Sequence, residues 1–190
     1  MSKFTISFDD FDFVPSPLRI PVYPYPKPPE GNLPPRDRRL YSDAEKVATR
    51  LAKSLYIGLV EMRGTPPDYY RLVYNIRGIE AVRGNHVVYR NKHEVELQLT
   101  REYPNQPPLC KMLTPIFHPN ISPARICIGN SGDWTAQEKL VDVIFRIGEI
   151  ITYQSCNPSD PLPDSREVAL WANEHKYMFP FDKAELIPPE

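Results

Sequence analysis

Residues 114–129 read TPIFHPNISPARICIG, and this stretch decides the fold. It places Cys127 nine residues after His118, and two prolines stiffen the irregular segment between them, which is typical of a long loop over a sheet. A thiol in such a loop can reach solvent. The alternative is a buried cysteine that acts as a small apolar residue, which the neighbouring Ile126 and Ile128 would suit.

Upstream of this loop the chain alternates apolar and polar residues, which is typical of half-buried strands. The clearest runs are residues 69–77 and 94–100, and shorter candidates are His86 to Arg90 and Leu109 to Leu113. Because the connections between these runs are short, they favour an antiparallel meander.

A first helix is predicted to begin at Ser42, which forms an S-x-x-E capping box with Glu45. Apolar residues then recur at three- and four-residue steps as far as Leu59, so they share one buried face. The opposite side carries a positively charged stripe, for which a solvated surface is the alternative interpretation. The stripe consists of Lys46, Arg50 and Lys53, with Arg38 and Arg39 just before it.

Two further helices are predicted after the loop. Thr135 and Glu138 form a second capping box ahead of residues 140–151, which are apolar nearly all round and therefore belong at the centre of the domain. A third, amphipathic helix is predicted around residues 167–175. A helix, then a sheet, then helices indicates an α+β fold.

The first 35 residues have a different composition from the rest of the chain. Nine of the 23 prolines fall between Pro15 and Pro35, and such a segment prefers polyproline II geometry to a hydrogen-bonded ladder. We predict a proline-rich arm at 1–35, a core at 36–180 and a tail at 181–190. Within the arm, alternation from Phe4 to Phe13 suggests a docking segment, and a disordered tail is the alternative.

Composition narrows the class of function. The chain has 23 basic and 24 acidic side chains, so no overall positive field favours nucleic acid. It shows neither a secretion leader nor a long apolar run, and its three cysteines form no close-spaced pattern; we therefore expect a soluble, cytoplasmic protein in a reducing compartment with no membrane partner. Without a Gly-rich phosphate loop or a paired Cys-x-x-Cys, no cofactor and no metal are predicted.

The residues alone leave two further chemistries open at Cys127. A cysteine hydrolase would use His118 or His175 as its general base, and the spacing selects neither. A zinc site would combine His118, Cys127 and Cys156, which lack the close ligand pairs of structural zinc sites.

Taken together, five motifs in one order resemble the core of a ubiquitin-conjugating enzyme. The resemblance covers residues from about 36 to 175, and it includes a tryptophan at the opening of the central helix. It implies a UBC-like fold with an N-terminal helix, an antiparallel meander sheet, a central buried helix and a C-terminal helix. The motifs are YPNQPP (103–108), FHPNI (117–121), ICIG (126–129), DW (133–134) and CNPSDPL (156–162).

The resemblance also implies roles for individual residues. Cys127 would carry the C-terminal glycine of a ubiquitin-like protein as a thioester. Asn120 would support the active-site loop and stabilise the oxyanion, Asp160 would orient or deprotonate the incoming lysine, and His118 would be a structural member of its turn. The implied partners are the modifier, an acceptor protein, and an activating enzyme that docks on the first helix at Lys46, Arg50 and Lys53.

Several positions depart from the usual eukaryotic pattern. Asn105 replaces the phenylalanine that docks RING-type ligases, residues 135–137 replace the Ser-Pro-Ala that completes that dock, and Ile128-Gly129 follows the cysteine instead of Leu-Asp. These traits look more like the conjugating enzymes of bacterial operons, several of which serve in antiphage defence. A catalytically silent binding module, or a scaffold that works through its arm, are the alternative functions.

Overall fold

The structure is a computed structural model that describes Leu18, residues 23–129, residues 134–180 and Leu186. In these ranges one α-helix is followed by six strands and then by two more α-helices, with short 3-10 turns at Pro163–Ser165 and Lys176–Met178. The elements are α1 (Pro35–Leu51), β1 (Ile57–Gly64), β2 (Pro67–Tyr74), β3 (Gly78–Arg83), β4 (His86–Arg90), β5 (His93–Gln98), β6 (Leu109–Met112), α2 (Leu140–Ile151) and α3 (Arg166–Glu174).

The main sheet has four antiparallel strands in the order β1-β2-β5-β6. Strands β3 and β4 form a separate hairpin inserted between β2 and β5. The predicted α+β fold, with an antiparallel meander and its helices, is confirmed. Strands β1 and β3 were not predicted. In β1 the reason is that Leu59 also fits the helical spacing of the residues before it.

The start of α1 was predicted wrongly. The helix begins at Pro35, whose fixed φ suits a first turn where no N–H partner is needed, and Ser42 and Glu45 lie inside the helix. The apolar face also ends earlier than predicted, since Leu51 is the last helical residue and Leu55 beyond it is 53% exposed.

The capping box predicted ahead of α2 was wrong, although the helix covers the predicted apolar residues 140–151. Glu138 donates its N–H to the carbonyl of Thr135 in a turn, and the helix begins only at Leu140. Trp134 therefore lies before that turn instead of opening the helix. The predicted central position of α2 is confirmed, because nine of its twelve residues are buried, and the hydroxyl of Tyr74 donates to the carbonyl of Ile144 across the sheet–helix interface (2.9 Å).

The described part of the arm lies against the domain without regular secondary structure from Tyr23 to Pro34. The hydroxyl of Tyr23 accepts the N–H of Met62 in the edge strand β1 (3.2 Å), and the N–H of Leu18 donates to the carbonyl of Leu55 (2.7 Å). The predicted docking segment from Phe4 to Phe13 lies outside the described residues. The boundaries at 1–35 and 181–190 stay predictions.

Membrane insertion gains no support from the helices. Of those in the described ranges, none is both long and apolar enough to cross a bilayer.

His93 is a fully buried histidine at the start of β5. Its Nε2–H donates to the carbonyl of Arg90 (3.0 Å), and no described residue partners its Nδ1. Gly78 lies so close that a Cβ there would approach Nε2 to 2.8 Å. Burial lowers the pKa of this imidazole to about 4.

We predict that His93 makes the fold acid-sensitive. The unfolded chain takes up a proton below about pH 6.5 whereas the folded ring stays neutral until about pH 4, so stability falls as the pH drops through this window, by about 1.4 kcal/mol per pH unit from this group. Urea unfolding of the wild type and His93→Gln across the window checks this. Parallel losses in the two proteins would contradict it.

Candidate active site

A groove of about 430 Å³ opens beside the long loop that the sequence singled out. Cys127, Asn120 and Asp160, the three predicted catalytic residues, all line it. Glu138 and Arg146 line it as well, although the sequence analysis did not predict either of them as a site residue. The fold therefore brings together residues that span 41 positions of the chain, from 120 to 160.

Cys127 is held by its own backbone at the edge of a small turn. Ile126 donates its N–H to the carbonyl of Cys110 (2.8 Å) and pairs with Ile121, which ties the loop to β6. The N–H of Cys127 donates to the carbonyl of Asn120 (2.9 Å). Its side chain is half-buried, so the thiol is neither sequestered in the core nor free on the surface.

The three free cysteines occupy different environments. Cys110 is buried on β6, and burial raises the pKa of its thiol to about 12. Burial also raises the pKa of Cys156 to about 11, partly offset by Lys176. Of the three, Cys127 is the one that lines the groove, which separates it from the other two thiols by position.

Asn120 uses its side-chain amide to brace the turn that follows α2. Its Nδ2 donates to the carbonyls of Asn157 (3.0 Å) and Asp160 (3.1 Å), while its Oδ1 accepts the N–H of Asn157 (2.8 Å). Both amide hydrogens are thus engaged by backbone oxygens. In this arrangement Asn120 joins the 157–160 turn to the loop that carries Cys127.

His118 is a buried member of the same turn. Its Nδ1 accepts the N–H of Asn120 (3.0 Å), and its ring packs edge-on against Tyr153 (4.3 Å between centroids). Burial lowers its pKa to about 3, so the ring stays neutral. These contacts fit a structural role.

The hydrolase and zinc interpretations find no support in this geometry. Neither His118 nor His175 lines the groove, and His175 instead stacks on Trp171 (4.9 Å between centroids). Nowhere in the described ranges do three potential metal ligands cluster.

Asp160 is exposed at the rim of the groove. Its backbone is fixed at two points, because its carbonyl accepts from Asn120 and its N–H donates to the carbonyl of Asn157 (3.4 Å). The carboxylate is therefore presented from a braced turn into a space large enough for an incoming side chain.

The predicted basic stripe is smaller than the sequence suggested. Lys46 and Lys53 are exposed, whereas Arg50 is half-buried with its guanidinium 6.0 Å from the ring centroid of Phe145. Arg39 does not contribute to an exposed stripe, because its guanidinium binds the carboxylate of Asp43 (2.7 Å).

Arg39 and Asp43 belong to a buried network that the sequence analysis missed. Asp43 is 1% exposed and accepts the hydroxyl hydrogen of Tyr103 (2.6 Å). Arg39 also donates to the carbonyls of Ala136 and Glu138, next to the groove. The available signal was an acidic residue on the apolar face of α1 with an arginine four positions earlier.

Arg146 was missed for a related reason. It is a charged residue within a nearly all-apolar helix, and that contrast was the signal. Its Nη1 donates to the carbonyl of Ile128 (3.0 Å) and its Nη2 pairs with Glu138 (2.5 Å). It therefore contacts the backbone directly after Cys127.

Comparisons with known proteins agree with this geometry. A probable ubiquitin-conjugating enzyme E2 of Acanthamoeba polyphaga mimivirus is 26% identical over 140 residues, which cover 72% of this chain and 83% of that protein. Ubiquitin conjugating enzyme E2 B of Dictyostelium discoideum is 37% identical over 70 residues, and E2 13 of Schizosaccharomyces pombe is 35% identical over 82. The chain spans about half the length of these last two relatives, 46% and 53% respectively.

The fold agrees as well. The structure of S. cerevisiae Ubc12 aligns with a TM-score of 0.57 and 22% identity, covering 79% of this chain and 77% of Ubc12. The sequence profile of the family "Ubiquitin-conjugating enzyme" matches residues 60–183, which is about two thirds of the chain. With that match and the groove around Cys127, the chain belongs to the ubiquitin-conjugating enzyme family.

Proposed function

We propose that this chain accepts a ubiquitin-like protein from an activating enzyme as a thioester on Cys127 and passes it to an acceptor amine. The observation that carries the proposal is the position of Cys127, which lines one groove together with Asn120 and Asp160. Loading is a transthiolation: the Cys127 sulfur forms a bond to the modifier's terminal carbonyl carbon, the bond from that carbon to the activating enzyme's sulfur breaks, and the proton that the Cys127 thiol loses passes to the departing sulfur.

Discharge of the thioester sets modest chemical demands. The amine attacks the same carbonyl carbon, the carbon–sulfur bond breaks, and Cys127 leaves as a thiolate while the amine loses a proton. A thioester is already activated, so the protein has to hold it in place, stabilise the oxyanion and accept that proton. The neutral, buried His118 is consistent with a reaction that needs no strong general base.

Asn120 and Asp160 divide these tasks in our proposal. Asn120 braces the 157–160 turn beside the thioester, and to reach the oxyanion its amide would exchange one of its two donated hydrogen bonds. Asp160 offers the exposed carboxylate that orients the incoming amine and takes up its proton.

We assign the docking of the activating enzyme to the exposed side of α1. Arg38 and Lys46 on the helix and Lys53 in the turn after it supply accessible positive charge, and Arg50 contributes from a half-buried position. An acidic surface on the activating enzyme would complement this patch. The acceptor protein approaches at Asp160, on the groove side.

We further propose that the chain belongs with the conjugating enzymes of bacterial operons that act in antiphage defence. Support comes from the Ile128-Gly129 pair after the cysteine and from Asn105 in the ligase-docking loop. The deciding observation is whether genes for an activating enzyme and a ubiquitin-like protein lie beside this gene.

A catalytically silent binding module is the second candidate function. Such variants of the fold lack the reactive cysteine, and the presence of Cys127 in the groove favours the enzyme. A scaffold that works through its arm would lose its function when residues 1–35 are deleted, whereas an enzyme would still form the thioester.

The main prediction is that Cys127 alone forms the thioester. With the cognate activating enzyme, the modifier and ATP, the wild type should give an adduct that reducing agents cleave, and Cys127→Ala should give none. Cys127→Ser should give an oxyester that resists thiols but not alkali. Cys156→Ala is the control and should charge normally, since Cys156 does not line the groove.

Two results would overturn this assignment. An adduct that persists in Cys127→Ala and vanishes in Cys156→Ala would show that Cys156, not Cys127, is the nucleophile. If the wild type never charges with the products of neighbouring genes, the binding module becomes the better account.

The second prediction separates the two half-reactions. Asp160→Ala should slow discharge to free lysine by roughly 10- to 100-fold and leave charging intact, because the carboxylate acts only on the amine. Single-turnover discharge measures this effect. Asp164→Ala is a matched control, because Asp164 is equally exposed in the next turn but does not line the groove.

Asn120→Ala belongs in the same assay. It should charge and then discharge poorly, since the 157–160 turn loses its brace. Equal losses of charging and discharge in either variant would mean damage to the fold, and would contradict the separation of roles.

The third prediction concerns ligases. Exposed Asn105 offers an amide where a RING groove accepts an aromatic anchor, and losing such an anchor weakens binding by about 2 kcal/mol or more. Generic RING domains should therefore leave the discharge rate unchanged. A clear stimulation that Asn105→Ala abolishes would contradict this prediction.

A further inference from the structure

We propose that Arg146 is a positioning residue for the thioester loop. Its guanidinium binds the carbonyl of Ile128, the residue directly after Cys127, and thereby fixes the direction in which the loop leaves the nucleophile. This inference rests on the proposed function of Cys127.

The contact geometry of Arg146 is that of a clamp between two segments. Nη1 donates a hydrogen bond to the carbonyl of Ile128 (3.0 Å), and Nη2 forms an ion pair with Oε1 of Glu138 (2.5 Å) that lacks hydrogen-bond geometry. Because the guanidinium is planar and rigid, it keeps these two partners close to each other. Both charged side chains line the groove.

Stability alone does not account for this pair. The side chains of Arg146 and Glu138 are 37% and 18% exposed, and a solvent-accessible ion pair adds little to folding stability. α2 is otherwise held by its nine buried residues. What Arg146 adds is a bond to the backbone next to the nucleophile.

Glu138 is itself anchored, so it can serve as a fixed point. Its backbone carbonyl accepts a hydrogen bond from Arg39, which also binds the carbonyl of Ala136. Arg39 is in turn paired with the buried carboxylate of Asp43 in α1 (2.7 Å). The clamp thus connects the loop after Cys127 to the helical core.

The loop needs such a restraint because of the residue that follows Ile128. Gly129 adopts a φ of +131°, a conformation that L side chains rarely adopt, and a Cβ there would have no atom within 4 Å. Packing therefore ends at the buried side chain of Ile128 and does not extend to Gly129. The hydrogen bond from Arg146 restrains the peptide between Ile128 and Gly129 instead.

Restraint at this point has a direct chemical consequence. Transfer from a thioester depends on the attacking amine and the carbonyl carbon meeting in a narrow range of distances and angles, and small displacements lower the rate steeply. A loop that rotates beside Cys127 would spread the thioester over several orientations. Loss of the clamp should therefore lower the rate of transfer strongly, while the affinity for the acceptor changes less.

Hydrogen exchange of the full chain tests the clamp without any modifier. Arg146→Ala should speed exchange of the Cys127 amide, which donates to the carbonyl of Asn120, about tenfold, and Arg146→Lys, which keeps the charge, should recover part of the protection. The control is Arg90→Ala: Arg90 forms a similar ion pair with Glu80 and is 34% exposed, but it does not line the groove. Unchanged exchange in Arg146→Ala would overturn the proposal.

Single-turnover discharge to free lysine gives the second measurement. Arg146→Ala should lower the rate at saturating lysine roughly 10- to 100-fold, with the half-saturating lysine concentration and the Tm unchanged. Arg146→Lys should be intermediate, and Arg90→Ala should match the wild type. Equal discharge by Arg146→Ala and the wild type would overturn the proposal.

The two measurements separate this inference from the proposed function. If the wild type forms no thioester, the proposed function fails, and hydrogen exchange still decides whether Arg146 clamps the loop. If the wild type charges and discharges, a variant with normal exchange and normal rates overturns the role of Arg146 alone.

Discussion

The buried carboxylate of Asp43 is the constraint that ties two segments beside the groove, at Tyr103 and at residues 136–138, to α1. At 1% exposure it requires compensation by charge and hydrogen bonds, which come from Arg39 (2.7 Å) and the hydroxyl of Tyr103 (2.6 Å). Burial and the nearby Asp43 raise the pKa of Tyr103, so its hydroxyl keeps its proton and remains a donor. Arg39 also donates to the carbonyls of Ala136 and Glu138. One buried charge therefore fixes the segment at residues 136–138 and the loop that begins at Tyr103 relative to α1.

Around Cys127, polar side chains hold backbone groups in addition to the apolar packing of the buried Ile126 and Ile128. Asn120 holds the 157–160 turn on one side of Cys127, and Arg146 holds the carbonyl of Ile128 on the other. Such bonds fix the chain direction while leaving the groove open, which a tightly packed apolar wall would not. An open but rigid groove suits a substrate that is itself a protein segment, because the site only has to orient a carbonyl that is already reactive.

The sequence predicted the elements whose burial is periodic. The alternating runs in β2 and β5 and the apolar helix α2 lie where the pattern placed them. Both capping boxes failed, because Pro35 starts α1 without a side-chain cap and Thr135 only closes a turn. A capping motif only supplies hydrogen-bond acceptors for the first backbone N–H groups of a helix. Tertiary packing contributes more to helix stability, and it determined where these two helices begin.

The site, too, was predicted only in part. The order of motifs was enough to select Cys127, Asn120 and Asp160, and the fold brings all three to one groove. Arg146 could not be found in this way, because its partner, the carbonyl of Ile128, is 18 positions away and backbone oxygens leave no trace in a sequence. A reaction that starts from an activated thioester needs little acid or base catalysis and depends mainly on geometry. Of the two residues that hold the backbone beside Cys127, the motifs therefore revealed Asn120 but not Arg146, and contacts between side chains and backbone are where to look for residues of the second kind.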